Sequence, residues 1–444
     1  MGRRRRKPFE SIELILNIES LANDGRGVAR HEGKTVFVNG ALPGEEVHCE
    51  IRKRRSKYDE AVITEVIKAS PDRVTPRCSA ADVCGGCSLQ HMSGDAQIHA
   101  KQQILLDSLT HIGKVKPQTI LPPLQGPHWN YRRKARLGVR VVPKKGGVLV
   151  GFREARSSYI AVLDQCEILD GRFSQLIIPL QELIAELSIS RRIPQIEVAA
   201  GDDTAVLVFR HLEPLTENDL GLLREFGCAH DLHIMLQPGG PDSIEALYPE
   251  TQDLLAYRLE DWDVEVRFRP TDFTQVNAGI NRLMLTRALE LLAPEEGDDV
   301  LDLFCGVGNF TLPLARVSSH VTGIEGDAVL VKMARDNAGH NGLNNAAFIT
   351  ADLYDEPLDG TWLHRKWDRI LLDPPRSGAI EVISRLPELE PKRIVYVSCN
   401  PATLARDAAV LVNEHGYALS AAGVMDMFPH TNHVESIAVF DPPG

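Results

Sequence analysis

Between residues 299 and 399 the chain carries the apolar runs DVLDLF, HVTGIE, AAFIT, RILLDPP and RIVYVSC, each separated from the next by a longer segment of mixed polarity. Strands that are apolar along their whole length, rather than at alternate positions, are buried on both faces. Strands of that kind alternating with helices close into a parallel sheet with helices on either side, because parallel neighbours need a crossover between them. The pattern predicts an α/β, doubly wound C-terminal domain, preceded by a helix over 278–292 and completed by late strands in GYALSAAGVMDMF and HVESIAVF.

At 444 residues the chain exceeds one ordinary core and divides into two or three domains. Residues 11–70 read differently from the C-terminal part: short alternating runs such as KTVFVNGALPGEEV and YDEAVITEVIKAS are punctuated by turns, as in a small β-barrel. Residues 71–265 mix strands and helices, including a helix over about 95–111 and a proline-rich linker at 116–127, and read as a central α+β domain. The catalytic part is expected at 266–444.

The net charge of −12 conceals an asymmetry. Residues 1–166 hold 28 Lys and Arg against 17 Asp and Glu, whereas 167–444 hold 21 against 44. A basic appendage on an acidic body fits a nucleic-acid partner for the former. The runs RKRRSKY (52–58) and HWNYRRKARLGVR (128–140) concentrate that charge, the second with interleaved aromatics. No apolar run is long enough to span a bilayer, so no membrane is expected. The basic start MGRRRRKPFE has no apolar segment behind it and does not read as a secretory signal, so a cytoplasmic location is expected.

The chemistry-bearing residues lie at predicted strand ends. DLFCGVGNF (302–310) places glycines where a strand gives way to a helix, which lets backbone approach a nucleotide-like ligand. Glu325 ends the next strand, where a carboxylate can accept hydrogen bonds from two ribose hydroxyls, and Asp352 follows the third. That set fits S-adenosylmethionine better than a dinucleotide. Asp373 opens the rigid turn DPPR (373–376). Arg376 stands where enzymes that methylate exocyclic amines often carry an aromatic residue, which argues against amine chemistry.

Cys399, in VYVSCNP, and Glu435, in HTNHVES, supply what methylation of a pyrimidine C5 requires. Uracil C5 is a poor nucleophile until a thiolate adds to C6, and a base must then remove the C5 proton. The helix start after Cys399 is expected to lower the thiol pKa through its backbone N–H groups. Burial as a small apolar side chain is the ordinary alternative for an isolated cysteine. Cys305, inside the glycine loop, reads as a packing residue, and Cys49 and Cys228 as structural.

The remaining cysteines, Cys78, Cys84 and Cys87 in C-x5-C-x2-C spacing and the distant Cys166, provide four thiolates. Zinc more often uses paired CxxC units, so this spacing favours an iron–sulfur cluster over zinc without excluding the metal.

Together DLFCGVGNF, DPPR, SCNP and HVES resemble the RNA uridine-C5 methyltransferases, and the cysteine segment resembles the branch that acts on bacterial 23S rRNA. The resemblance runs over nearly the whole chain. It implies an OB-like barrel of the TRAM type at 11–70 that binds RNA, a central domain carrying a 4Fe–4S cluster on Cys78, Cys84, Cys87 and Cys166, and a Rossmann-like methyltransferase domain. Part of 93–125 would pack on the catalytic domain. It also implies Cys399 as nucleophile and Glu435 as proton-abstracting base. Gln275 of FTQVN, Phe304, Asn309, Glu325, Asp352 and Asp373 would bind the methyl donor, with Phe273 beside a flipped-out base. The expected partner is 23S rRNA, with no obligate protein partner. A tRNA-directed or dual-site enzyme is the alternative within the class, and a non-catalytic RNA-binding assembly factor is the alternative outside it.

Overall fold

A computed structural model describes residues 12–443 apart from 252–253, 356–357 and 359. The basic start at 1–10 lies outside the described residues. The chain forms two compact units, residues 1–100 with 430–432 and residues 101–429 with 433–444.

In the smaller unit six strands form one sheet in the order Ile12–Asn17, Glu46–Arg54, Tyr58–Lys68, Lys34–Asn39, Gly27–His31 and Ser20–Leu21. Along Glu46–Arg54 the side chains alternate between core and solvent before ending in an exposed stretch. Such alternation marks a sheet with one face packed and one face wet. The inward positions, Leu16, Val36, Val38, Val47, Cys49 and Ile51 among them, form the core. Arg52, Lys53 and Arg54 are exposed at the hairpin into Tyr58–Lys68, which leaves the basic run on a rim as its sequence implies.

Among the described residues the larger unit holds two large sheets and a two-stranded antiparallel one, Leu255–Leu259 with Val264–Phe268. One has six strands ordered Glu245–Tyr248, His233–Gln237, Ala205–Arg210, Gln195–Ala200, Lys134–Val142 and Gly147–Gly151. The basic stretch at 132–140 runs into this sheet, and its charges are largely engaged. Arg133 pairs with Asp202 at 2.5 Å, Arg136 with Glu197 at 2.8 Å, and Lys134 donates to the Asp272 carbonyl, while Arg140 is exposed.

The second sheet has eight strands in the order Ala346–Thr350, His320–Glu325, Asp299–Leu303, Arg369–Leu372, Arg393–Ser398, Glu435–Asp441, Ala418–Met425 and Thr119–Ile120. The first five are mutually parallel, and Glu435–Asp441 runs antiparallel to both of its neighbours. Arg369–Leu372 is buried throughout, and Arg393–Ser398 is buried but for its first residue, as their continuous apolar runs require. Helices Ala278–Leu292, Thr311–Val317, Ala328–His340 and Pro401–Ala409 flank the strands. The strand order turns back at Asp299–Leu303, and open α/β sheets bind ligands at the carboxyl ends of the strands where that reversal occurs.

Candidate active site

A cavity of about 500 Å³ opens at that reversal. Its lining includes Phe273, Gln275, Phe304, Asn309, Glu325, Asp352, Asp373, Cys399 and Glu435. The structure therefore brings together every residue the sequence assigned to catalysis, methyl-donor binding or base contact.

At one end the glycine loop follows Asp299–Leu303. Phe304 at φ 65° and Gly308 at φ 97° turn the backbone sharply into helix Thr311–Val317. A left-handed phenylalanine costs energy, so its conformation is held by its surroundings, and such strain collects at ligand sites. The loop packs tightly beneath: a Cβ on Gly323 would sit 2.8 Å from the sulfur of Cys305, which fixes glycine there, and Cys305 is buried at the edge of the cavity. Glu325 accepts the Gly306 and Asp327 backbone N–H groups, both at 3.1 Å, and Asp352 accepts that of Tyr354 at 2.9 Å. These acids reach the cavity already oriented. Asn309 is held by its own neighbours, accepting from Tyr257 Oη at 2.8 Å and exchanging hydrogen bonds with the Asn281 amide at 3.0 Å.

At the other end Cys399 leaves the carboxyl end of Arg393–Ser398. Glu435 begins the adjacent antiparallel strand, in which Ser436 pairs with Ser398. An antiparallel strand among parallel ones presents its first residue, not its last, at the ligand edge. That reversal brings a residue distant in sequence beside the thiol. Phe273 is 72% exposed at the mouth, and Gln275 Nε2 lies 3.4 Å from the carboxylate of Asp373.

Electrostatics at this end differ from the sequence expectation. Burial, reinforced by Glu435 and Asp373, pushes the Cys399 thiol up to about 11, rather than down as a helix start implies. The helix start offers the thiol few free donors to offset that burial. Pro401 has no N–H, the Asn400 N–H goes to Ser398 Oγ at 3.2 Å, and the Asn400 side chain caps the Ala402 N–H at 3.1 Å. Burial raises Asp373 to about 7. Burial and then the nearby Asp373 hold Glu435 well above the usual carboxylate range.

Two side chains without a sequence-assigned role also line this end. Arg376 donates to the imidazole of His433 at 3.0 Å, and His433 is driven down to about 4 by burial and then by Arg376. HTNHVES held His433 in plain view, but no spacing connected it to Arg376.

The cysteine segment gives a different result. Cys84 is buried and accepts the Gly86 N–H at 3.4 Å, and Cys78 stands near enough to oppose its ionisation. Cys166 belongs to the larger unit and is buried. Among the described residues no group of three or more His, Cys, Asp or Glu side chains is gathered as a metal-ligand set.

A reversing parallel sheet, a glycine loop, acids on the next two strand ends and a thiol beside a buried carboxyl are the arrangement of an α/β methyltransferase. Comparison with known proteins narrows that class. Residues 250–441 match the tRNA (Uracil-5-)-methyltransferase family, and residues 9–64 match the TRAM domain. The 23S rRNA (uracil(1939)-C(5))-methyltransferase RlmD of Alkalilimnicola ehrlichii is 53% identical over 441 residues, covering 99% of each chain. The protein of that name from Nitrosospira multiformis is 52% identical and covers 96% of this chain and 97% of its own. Among solved structures, Pyrococcus abyssi tRNA (uracil-54, C5)-methyltransferase in complex with S-adenosyl-L-homocysteine superposes with a TM-score of 0.74 at 25% identity, covering 96% of this chain and all of the other. The chain belongs to the RNA uracil-C5 methyltransferase family. Among the described residues no helix is long and apolar enough to cross a membrane.

Proposed function

We propose that this protein methylates C5 of one uridine in 23S rRNA, with S-adenosylmethionine as methyl donor. The observation that carries the reading is the convergence of Cys399, Glu435 and Asp373 on one cavity with the glycine loop and Glu325. Near-full-length identity to the rRNA enzymes favours rRNA over tRNA as substrate.

In the proposed reaction Cys399, its thiol proton having passed to solvent, adds to C6 of the flipped-out base as thiolate, and the electrons of the C5–C6 double bond move toward C5 and the C4 carbonyl. The donor supplies an electrophilic methyl, and its sulfonium sulfur leaves as a neutral thioether. Glu435 takes the proton from the now saturated C5, the C5–C6 double bond reforms, and the Cys399 sulfur departs as thiolate. Glu325 and Asp352 would hold the adenosine ribose end of the donor, with Phe304, Asn309, Gln275 and Asp373 completing its pocket. Phe273, exposed at the mouth, would contact the extruded base.

The test is a Glu435→Gln variant with unmodified target RNA. It should add and methylate but fail to release product, accumulating a methylated covalent complex. Turnover should fall by roughly 10²–10⁴, the range general acid–base catalysis contributes. Product release at the wild-type rate would overturn the assignment. Mapping 5-methyluridine in rRNA and tRNA from cells with and without the gene decides between the two substrates.

We further assign the division 11–70, 71–265 and 266–444 to RNA-binding barrel, central domain and catalytic domain, acting in the cytoplasm without an obligate protein partner. The C-x5-C-x2-C spacing with Cys166 supports a 4Fe–4S cluster as a structural element of the RNA-binding part. Protein purified without oxygen should contain about four iron and four sulfide per chain. Iron-free protein with full activity would dismiss the cluster.

A further inference from the structure

Lys101 is 1% exposed and its partner Asp426 equally so, with 2.7 Å between Nζ and Oδ1. The same ammonium donates to the carbonyl of Phe428 at 2.9 Å. Asp426 follows directly on the strand whose last residue, Met425, pairs with Glu435. Phe428, His433 and Glu435 all line the cavity. One buried cation thus ties down the segment that leaves the sheet opposite Glu435 and carries the Phe428 wall of the site.

Burying an ammonium and a carboxylate together is rarely the cheapest way to stabilise a fold, since well-packed apolar side chains do as well or better. The second oxygen of Asp426 makes no hydrogen bond among the described residues, so the pair is not even fully satisfied. Its place beside the base offers a reason for its presence. Glu435 faces Asp373 and the Cys399 thiol on its negative side, and Arg376 and Lys101 on its positive side. Both cations favour the Glu435 carboxylate, the exposed Arg376 more than Lys101; burial pushes the Lys101 ammonium below the usual lysine range, and Asp426 and then Glu435 oppose that push. Lys101 also faces His433, which burial and Arg376 keep neutral.

We propose that Lys101, clamped by Asp426 and the Phe428 carbonyl, is a positioning residue for proton abstraction: it fixes the segment that leaves the sheet opposite Glu435 and sets a buried cation on that side of the base. The proposal rests on the assignment of Glu435 as base.

The experiment separates the two halves of the reaction in full-length protein. RNA carrying 5-fluorouridine at the target has no C5 proton to lose, so its methylated adduct reports addition and methyl transfer alone. Tritium release from 5-tritiated uridine RNA reports proton abstraction. Lys101→Met should form the fluorouridine adduct within about threefold of the wild-type rate while tritium release falls at least roughly tenfold, a modest share of what an acid–base group contributes. Because the cation favours the carboxylate, its loss should move the acid limb of the tritium-release profile to higher pH, and Lys101→Arg should restore it. A Lys101→Met/Asp426→Leu double variant removes both charges and serves if the single variant misfolds. Equal loss of both readouts, or loss of neither, overturns the proposal. Failure of wild-type protein to form the adduct would instead sink the underlying reaction.

Discussion

At the donor end of the cavity, Glu325 and Asp352 have carboxylates seated on backbone N–H groups. At the base end Glu435 is buried and Asp373 and Cys399 are half-buried, and burial pushes all three toward their neutral forms. One end holds its acids already oriented when a ribose arrives. The other avoids charge until a ligand supplies a reason for it. The contrast implies that donor affinity and bond-making chemistry can be lost separately, and the largest effect should come from the dry end. Cys399→Ala removes the nucleophile, so turnover should fall by more than roughly 10⁴, as when a covalent route is deleted outright. Donor affinity, measured by calorimetry, should stay within about twofold because the glycine loop and Glu325 are untouched. Substantial turnover, or a collapse of donor binding, would show that the two ends are not separable.

The same contrast explains what sequence alone could reach. The five parallel strands are legible because burial on both faces demands the continuous apolar runs seen in RILL and RIVYV. The donor-end acids are legible because each directly ends or follows such a run. Cys399 and Glu435 are legible as a pair through the resemblance of SCNP and HVES to the uridine-C5 methyltransferases, whose chemistry needs a thiol and a base together. Their ionisation is not. A helix start behind a cysteine reads as thiolate-stabilising, and only coordinates reveal that Pro401, the Asn400 cap and Ser398 leave its N–H groups engaged. Lys101 lies 325 residues from Asp426, and Arg376 lies 57 from His433. Pairings of that range follow from topology rather than from any local pattern. The cysteine segment marks the opposite limit: its spacing is informative, yet the described residues do not assemble into a ligand set.

A weaker effect is expected at the polar end. Glu325→Ala removes a carboxylate aimed at the ribose and frees the Gly306 and Asp327 N–H groups it now accepts. Hydrogen bonds to a charged group are worth about 1.5–3 kcal/mol, so donor affinity should weaken by roughly ten- to a hundredfold. At saturating donor the fluorouridine adduct should still form at close to the wild-type rate. A rate defect that saturating donor does not rescue would mean that Glu325 also shapes the dry end, and the separation drawn above would fail.

The smallest effect tests the dry end directly, through the reactivity of Cys399. Alkylation proceeds through the thiolate, so its rate against pH reports the thiol pKa, read on the Cys399 peptide by mass spectrometry. In protein without ligand the midpoint should lie near 11, above an ordinary thiol, because burial and two neighbouring acids disfavour the anion. S-adenosylmethionine places a sulfonium cation in the cavity and should lower that midpoint by roughly one to two units, the size expected for a charge a few ångströms away in a partly buried site. S-adenosylhomocysteine fills the same space without the sulfonium charge and should lower it far less. An unligated midpoint near 8.5 would contradict the dry-site picture. Equal shifts with both ligands would assign the effect to pocket closure, leaving the cation no part in preparing the nucleophile.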